Sequence, residues 1–156
     1  MAGEIEKKLE GMGLSLLPPG PPGPFGARGV RVGNLLFMSG TGPRVAEGQT
    51  PWKGKLGRDL TTEQGYEAAK AVGLSLLTNI KAEIGDLDKV KRVVKLLSMI
   101  NCDPEFGETP KVANGCSDLF ISLWGENGKH GRSAVGMGSL PNGIPVEIEG
   151  IFEVSD

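Results

Sequence analysis

Histidine occurs once and cysteine twice in this chain, and aromatic side chains make up only 5% of it. That scarcity removes whole classes of chemistry. With His130 as the one imidazole, no His-based metal site and no Ser/His or Cys/His nucleophilic pairing is expected. Cys102 and Cys116 stand in no CxxC and in no metal-ligand spacing, so they read as two reduced, partly buried thiols. Neither sign of charge dominates: 17 Lys and Arg face 19 Asp and Glu, for a formal net charge of −2. Such a balance argues against a nucleic-acid partner, since neutralising phosphates takes a clustered excess of cations. No run approaches the roughly 18 apolar residues that a membrane helix requires. The first residues mix acids with lysines and lack an apolar core, so no secretory signal is read there and a cytoplasmic location is expected.

Glycine and proline are abundant instead, at 25 and 11. Much of the proline sits in Pro18-Pro19-Gly20-Pro21-Pro22-Gly23-Pro24. Proline lacks an N–H and fixes φ, so this run cannot form a helix or a central strand. It reads as a stiff linker, and a polyproline ligand for a partner is the lesser reading. At 156 residues one domain is expected. The division is an N-terminal extension with its linker over 1–22 and a single domain over 23–156.

Periodicity gives the elements. Residues 4–12 predict a short amphipathic helix with Ile5, Leu9 and Met12 on one face. Val30–Val32 and Leu35–Ser39, split by Gly33-Asn34, predict a tight hairpin. Residues 40–59 read as loop, with a short strand at Lys53–Leu56. Thr61-Thr62-Glu63-Gln64 is a capping box, and Ala69, Val72, Leu76, Ile80 and Ile84 form one apolar stripe ended by Gly85. Asp88–Ile100 predicts a long central strand, with Val94, Leu96, Ser98 and Ile100 alternating against Val93, Lys95, Leu97 and Met99. Thr109-Pro110 opens a second helix as cap and first-turn proline, and Gly125 closes it.

Two strands follow, at Ser133–Ser139 and Val146–Val154. In the last one Val146, Ile148, Gly150, Phe152 and Val154 share one face, while Glu147, Glu149, Ile151 and Glu153 share the other. Solvent exposure is the ordinary reading of those acids. Burial in an oligomer, with one carboxylate lining the seam, is the second. The order is β-β-(β)-α-β-α-β-β, an α+β class with two helices on one face of a mixed sheet.

Three segments carry a resemblance: Gly131-Arg132-Ser133-Ala134-Val135-Gly136, Leu140-Pro141-Asn142-Gly143 and Val146-Glu147-Ile148-Glu149-Gly150. Together with Gly23-Pro24-Phe25 and Gly33–Gly40, they resemble the Rid (YjgF-type) family of enamine/imine deaminases, also named L-PSP endoribonuclease-like. The resemblance runs from Gly23 onward. It implies a chorismate-mutase-like fold assembled as a trimeric barrel, with small-carboxylate sites in the clefts between subunits. In that likeness Arg132 is the carboxylate clamp, and Glu147 positions or activates a water. Ser39 and Asn114 are polar walls of the site. Phe25 stands where the family commonly has tyrosine, and Ala134 where cysteine is frequent. A planar guanidinium grips a carboxylate bidentately and stays charged, which suits Arg132 to its part. Hydrolysis of a C=N bond needs proton delivery and a held water, so the resemblance implies no metal and no cofactor.

Three functions follow from the likeness. The first is hydrolysis of enamine/imine intermediates to 2-keto acids and ammonia. The second is a small-carboxylate or keto-acid binding module without turnover, favoured by the missing phenol at Phe25. The third is endoribonuclease or translation-inhibitor activity, for which the sequence offers no basic, aromatic-rich surface.

Overall fold

The computed structural model of the chain describes residues 2–156. Its elements run α1 (Glu4–Gly11), β1 (Gly29–Val32), β2 (Leu35–Thr41), α2 (Thr62–Ile84), β3 (Val90–Asn101), α3 (Thr109–Trp124), β4 (Gly131–Met137) and β5 (Val146–Val154). The five strands form one sheet in the order β1-β2-β5-β3-β4. β3 and β4 are parallel, joined through α3, and the other pairs are antiparallel. The sheet is therefore mixed, and α2 and α3 cover one face of it, as the pattern predicts.

Local chemistry accounts for most of these elements. The capping box at α2 is formed in both directions. Gln64 N donates to Thr61 Oγ1 at 3.2 Å, and Thr61 N donates to Gln64 Oε1 at 2.9 Å. Gly85 ends α2 at φ +82°, a conformation that costs glycine nothing. Between α2 and α3 the backbones touch: a Cβ on Gly115 would collide with the Tyr66 carbonyl. The face beneath is closed by Phe120, whose ring meets Phe152 and Trp124 edge-on at 5.9 and 5.7 Å. Both cysteines are free and buried.

Helix α1 is short, and it is held from outside. Ile5 and Leu9 are buried in the main core, and the amides of Glu4 and Ile5 donate to the Asp88 carboxylate at 2.7 and 2.9 Å. Asp88 thus caps a helix that lies more than eighty positions away in sequence. Met12 leaves the apolar face expected of it and is 42% exposed, because the helix stops at Gly11.

Four other sequence expectations give way to local geometry. Lys53–Leu56 is not a strand. Gly54 and Gly57 take positive φ, Asp59 accepts from the Lys55 amide, and only Leu56 makes isolated bridges, to Leu60 and Cys102. Thr109 is not the cap of α3: Glu108 holds that position, and the Thr109 hydroxyl donates to Ala134 O at 3.0 Å. In β3 the strict alternation slips, because register shifts fall between Val90 and Arg92 and between Val93 and Lys95. Val93 is consequently buried beside Phe152 while Val94 turns outward. Finally, β4 begins two residues before Ser133 and ends at Met137.

The second face of the sheet carries no helix. Register places Phe37 with Ile151 and Lys95, Leu97 with Glu149 and Ser133, and Met99 with Glu147 and Val135. These side chains are half-buried or exposed, Phe37 and Val135 at 41% and 42%. A shallow cavity of about 390 Å³ lies on this face, lined by Phe37, Lys95, Leu97, Ser133, Glu149 and Ile151 among others.

Candidate functional site

Arg132 lies on β4, an edge strand, opposite Leu96 of β3 in the register. It therefore points toward the helix-covered side, where α3 meets it. Its Nη1 donates to Asn114 Oδ1 at 2.9 Å and to Ser117 Oγ at 3.0 Å. Asn114 and Ser117 are three positions apart on α3 and so share the face that looks at β4. The tight crossing at Gly115 fixes the height of that turn against α2. A guanidinium has five N–H donors, and Nη1 owns two of them. With both engaged, the Nε–Nη2 edge is left, and no acceptor among the described residues takes it. That edge offers two parallel donors, the geometry that matches the two oxygens of a carboxylate.

Behind Arg132 the bonds continue. Ser117 Oγ lies 2.9 Å from His130 Nε2, a Ser–His pair that the sequence reading did not expect and that a single imidazole suffices to form, and His130 Nδ1 lies 2.6 Å from Gly128 O. Burial holds the imidazole below its ordinary pKa of 6.5; the Gly128 hydrogen bond opposes that, and the Arg132 charge adds to it. The Cys116 thiol, fully buried next to this group, is pushed well up by desolvation and is inert.

A second cluster forms on the other face. Glu147, on β5, folds over Gly40 of β2, so closely that a Cβ there would lie 3.2 Å from its carboxyl carbon. Burial raises the Glu147 carboxyl above its ordinary value of 4.5, and Glu149 beside it raises it further. Ser39, in the irregular stretch between Met38 and Thr41, donates through Oγ to Ala27 O at 3.4 Å. Phe25 lies two residues before that carbonyl, in the turn leading to β1, and is 98% exposed.

The six sequence-predicted residues thus fall into two groups. Arg132 and Asn114 are in direct contact, and Ala134 lies two residues on from Arg132 along β4, with its carbonyl accepting from Thr109. Glu147 and Ser39 lie at the β2–β5 side, and Phe25 stands exposed in the turn that leads to β1. The groups do not meet within one chain. Arg132 pairs across the sheet with Leu96 and Gly150, whereas Glu147 pairs with Met99, an odd three positions along β3 from Leu96. Arg132 and Glu147 therefore project from opposite faces. Ser117 and His130 were not found from sequence. The signals were there, as a hydroxyl three positions after Asn114 and the sole imidazole two positions before Arg132. Without the α3–β4 contact nothing linked them.

Among the described residues no group of three His, Cys, Asp or Glu is placed to hold a metal ion. No helix among them is long and apolar enough to cross a membrane.

Residues 23–143 match the family model described as "YjgF/chorismate mutase-like, putative endoribonuclease". Protein TCP17 of Trypanosoma cruzi is 38% identical, over 99% of this chain and 97% of its own length. The crystal structure of Atu1372, a protein of unknown function from Agrobacterium tumefaciens, superposes with a TM-score of 0.88 at 37% identity, covering 97% of this chain and 93% of that one. A "putative endoribonuclease" from Shewanella oneidensis superposes with a TM-score of 0.90 at 27% identity, covering 96% and 99%.

Proposed function

The chain belongs to the YjgF/chorismate mutase-like family, and from that membership we propose that it hydrolyses reactive enamine/imine intermediates to 2-keto acids and ammonia. The observation that carries this reading is the Arg132 guanidinium, pinned by Asn114 and Ser117 and left with its Nε–Nη2 edge for a carboxylate. In this account Glu147 supplies the acid/base group. A carboxyl held above its ordinary pKa shares a proton more readily near neutral pH than an exposed one.

An enamine is first protonated at carbon and gives up one N–H proton, which leaves the imine. Water then adds to the C=N carbon while the nitrogen takes a proton. The resulting carbinolamine gives up its hydroxyl proton as the C–N bond breaks and ammonia leaves. Glu147 carries these protons, and Arg132 holds the neighbouring carboxylate so that the C=N carbon faces the water. No covalent nucleophile is required.

Because the two groups project from opposite faces, they can enclose one ligand only if each comes from a different chain. The uncovered face, with Phe37, Leu97, Val135 and Ile151, supplies an apolar surface for such an assembly. A homotrimer with three inter-subunit clefts is the assembly this reading takes. Each cleft pairs Arg132, Asn114 and Ala134 of one subunit with Phe25, Ser39 and Glu147 of the next.

The test is a coupled assay in which an amino-acid oxidase generates the imine and keto-acid appearance is followed. Wild-type chain accelerates keto-acid release and Arg132→Ala does not; an equal rate in that variant sinks the proposal. A binding module without turnover is favoured by Phe25, which offers an aromatic ring and no hydroxyl. Saturable keto-acid binding by calorimetry, with no acceleration of imine decay, decides for it. Ribonuclease activity has the name carried by the Shewanella relative in its favour. RNA cleavage that survives purification and disappears in Arg132→Ala decides for that reading.

A further inference from the structure

From the bonds behind Arg132, we infer that His130 is a positioning residue, which in its neutral Nδ1–H form orients the Arg132 guanidinium through the Ser117 hydroxyl. The inference rests on Arg132 being the carboxylate clamp and assigns the machinery that aims it.

The direction of every hydrogen bond in the chain is settled by its two ends. A guanidinium has only donors, so at the Arg132 end Ser117 Oγ must accept. A carbonyl has only lone pairs, so at the Gly128 end His130 Nδ1 must donate. The neutral ring then has a bare Nε2, and the single Ser117 hydrogen has one place to go, the Nε2 at 2.9 Å. The sequence Arg132 N–H to Ser117 O–H to His130 N is therefore polarised in one sense only. With its hydrogen directed at the ring, Ser117 presents a lone pair to Nη1 and holds it there. Asn114 Oδ1 takes the other Nη1 hydrogen, so rotation about the last bonds of Arg132 is blocked from two sides. The Nε–Nη2 edge is thereby aimed without the ligand.

A doubly protonated ring would break this order, since both nitrogens donate and the Ser117 hydrogen loses its acceptor. Several charged groups lie on the surrounding elements. Glu126 and Lys129 pair with each other on the turn before His130, Asp118 of α3 accepts from Tyr66, and Arg92 of β3 bonds Asn127. Among charges only that of Arg132 weighs on the ring, and it acts against protonation, as does burial. No carboxylate is placed to stabilise a cation there, so the site is built for the neutral imidazole.

His130 is the only histidine, which makes its ring signals in a nitrogen-correlated NMR spectrum of the tag-free chain unambiguous. Near neutral pH the spectrum is expected to show the Nδ1–H tautomer, and Arg132→Ala is expected to raise the midpoint of its titration. An Nε2–H tautomer overturns the inference without any variant being made. Calorimetry with 2-oxobutanoate is the second arm. His130→Ala and Ser117→Ala are expected to weaken binding by roughly five- to tenfold, the loss of one aligned hydrogen bond. His130→Gln, which keeps an acceptor near Nε2, is expected to bind within about twofold of wild type. In the coupled assay the Ala variants are expected to raise KM more than they lower kcat, since the clamp acts on ground state and transition state alike. Wild-type binding by His130→Ala, with Arg132→Ala inactive in binding, overturns the positioning role alone. Wild-type binding by Arg132→Ala overturns the clamp reading and this inference together.

Discussion

The two faces of the sheet differ in how they are finished. On one, α2 and α3 seal Phe120, Phe152, Leu96 and Ile100 from water. On the other, Phe37, Leu97, Val135 and Ile151 stand with Glu147 and Glu149 and have no cover. The site residues divide the same way, with Arg132 held by a helix on the sealed side and Glu147 standing on the open one. The lesson is that a single chain completes its core on one face and divides its candidate site residues between the two.

Breaking the sealed face gives the largest effect. Phe120→Ala removes a ring that joins α3 to β5, and is expected to cost about 3–5 kcal/mol in denaturant unfolding. Next is Val135→Arg on the open face. It is expected to leave far-UV circular dichroism unchanged while reducing the mass seen by sedimentation to that of a single chain. Loss of secondary structure instead would mean that the open face belongs to the core. Smaller is the pH response from His130. Its folded pKa lies below the unfolded 6.5, so the unfolded chain binds the proton first as pH falls. Its contribution is complete above pH 6.5 and is lost as pH drops through the folded value. Stability of His130→Gln is expected to lack that step.

The smallest effect belongs to α1. Asp88→Asn weakens the cap on Glu4 and Ile5 by an amount at the low end of about 0.5–2 kcal/mol, because the carboxylate is only half-buried. Hydrogen exchange over 4–11 is expected to quicken while α2 stays protected. In wild type the same loosening is expected at acid pH. The Asp88 pKa is held below its ordinary 3.8 by those amides, so its contribution is present above that value and is lost as pH falls through the folded one.

Much of the fold was legible because it is encoded locally. The Thr61 box, the α2 stripe and the alternation of β5 each need only neighbours in sequence. What failed needed partners from elsewhere. Val94 is turned outward by a register shift set against β5, and Thr109 gives its hydroxyl to β4 rather than to its own helix. Asp88 reads as an ordinary strand-start acid until α1 is laid against it. In the site, Arg132 and Asn114 were legible through a family pattern, and they do touch. Ser117 and His130 were not, since a helix face and a loop become neighbours only after the β3-α3-β4 crossover closes. Nor could spacing show that Arg132 and Glu147 face opposite ways, which depends on pairing through β3.

That division is most directly tested by mixing two disabled chains. Arg132→Ala and Glu147→Gln are each expected to be inactive in the imine assay when assembled alone. Unfolded together in equal amounts and reassembled, they place an intact Arg132 against an intact Glu147 at one interface in four, so about a quarter of wild-type activity is expected to return. Mixed oligomers, verified by native mass spectrometry, that stay as inactive as their parents would contradict a site shared between chains.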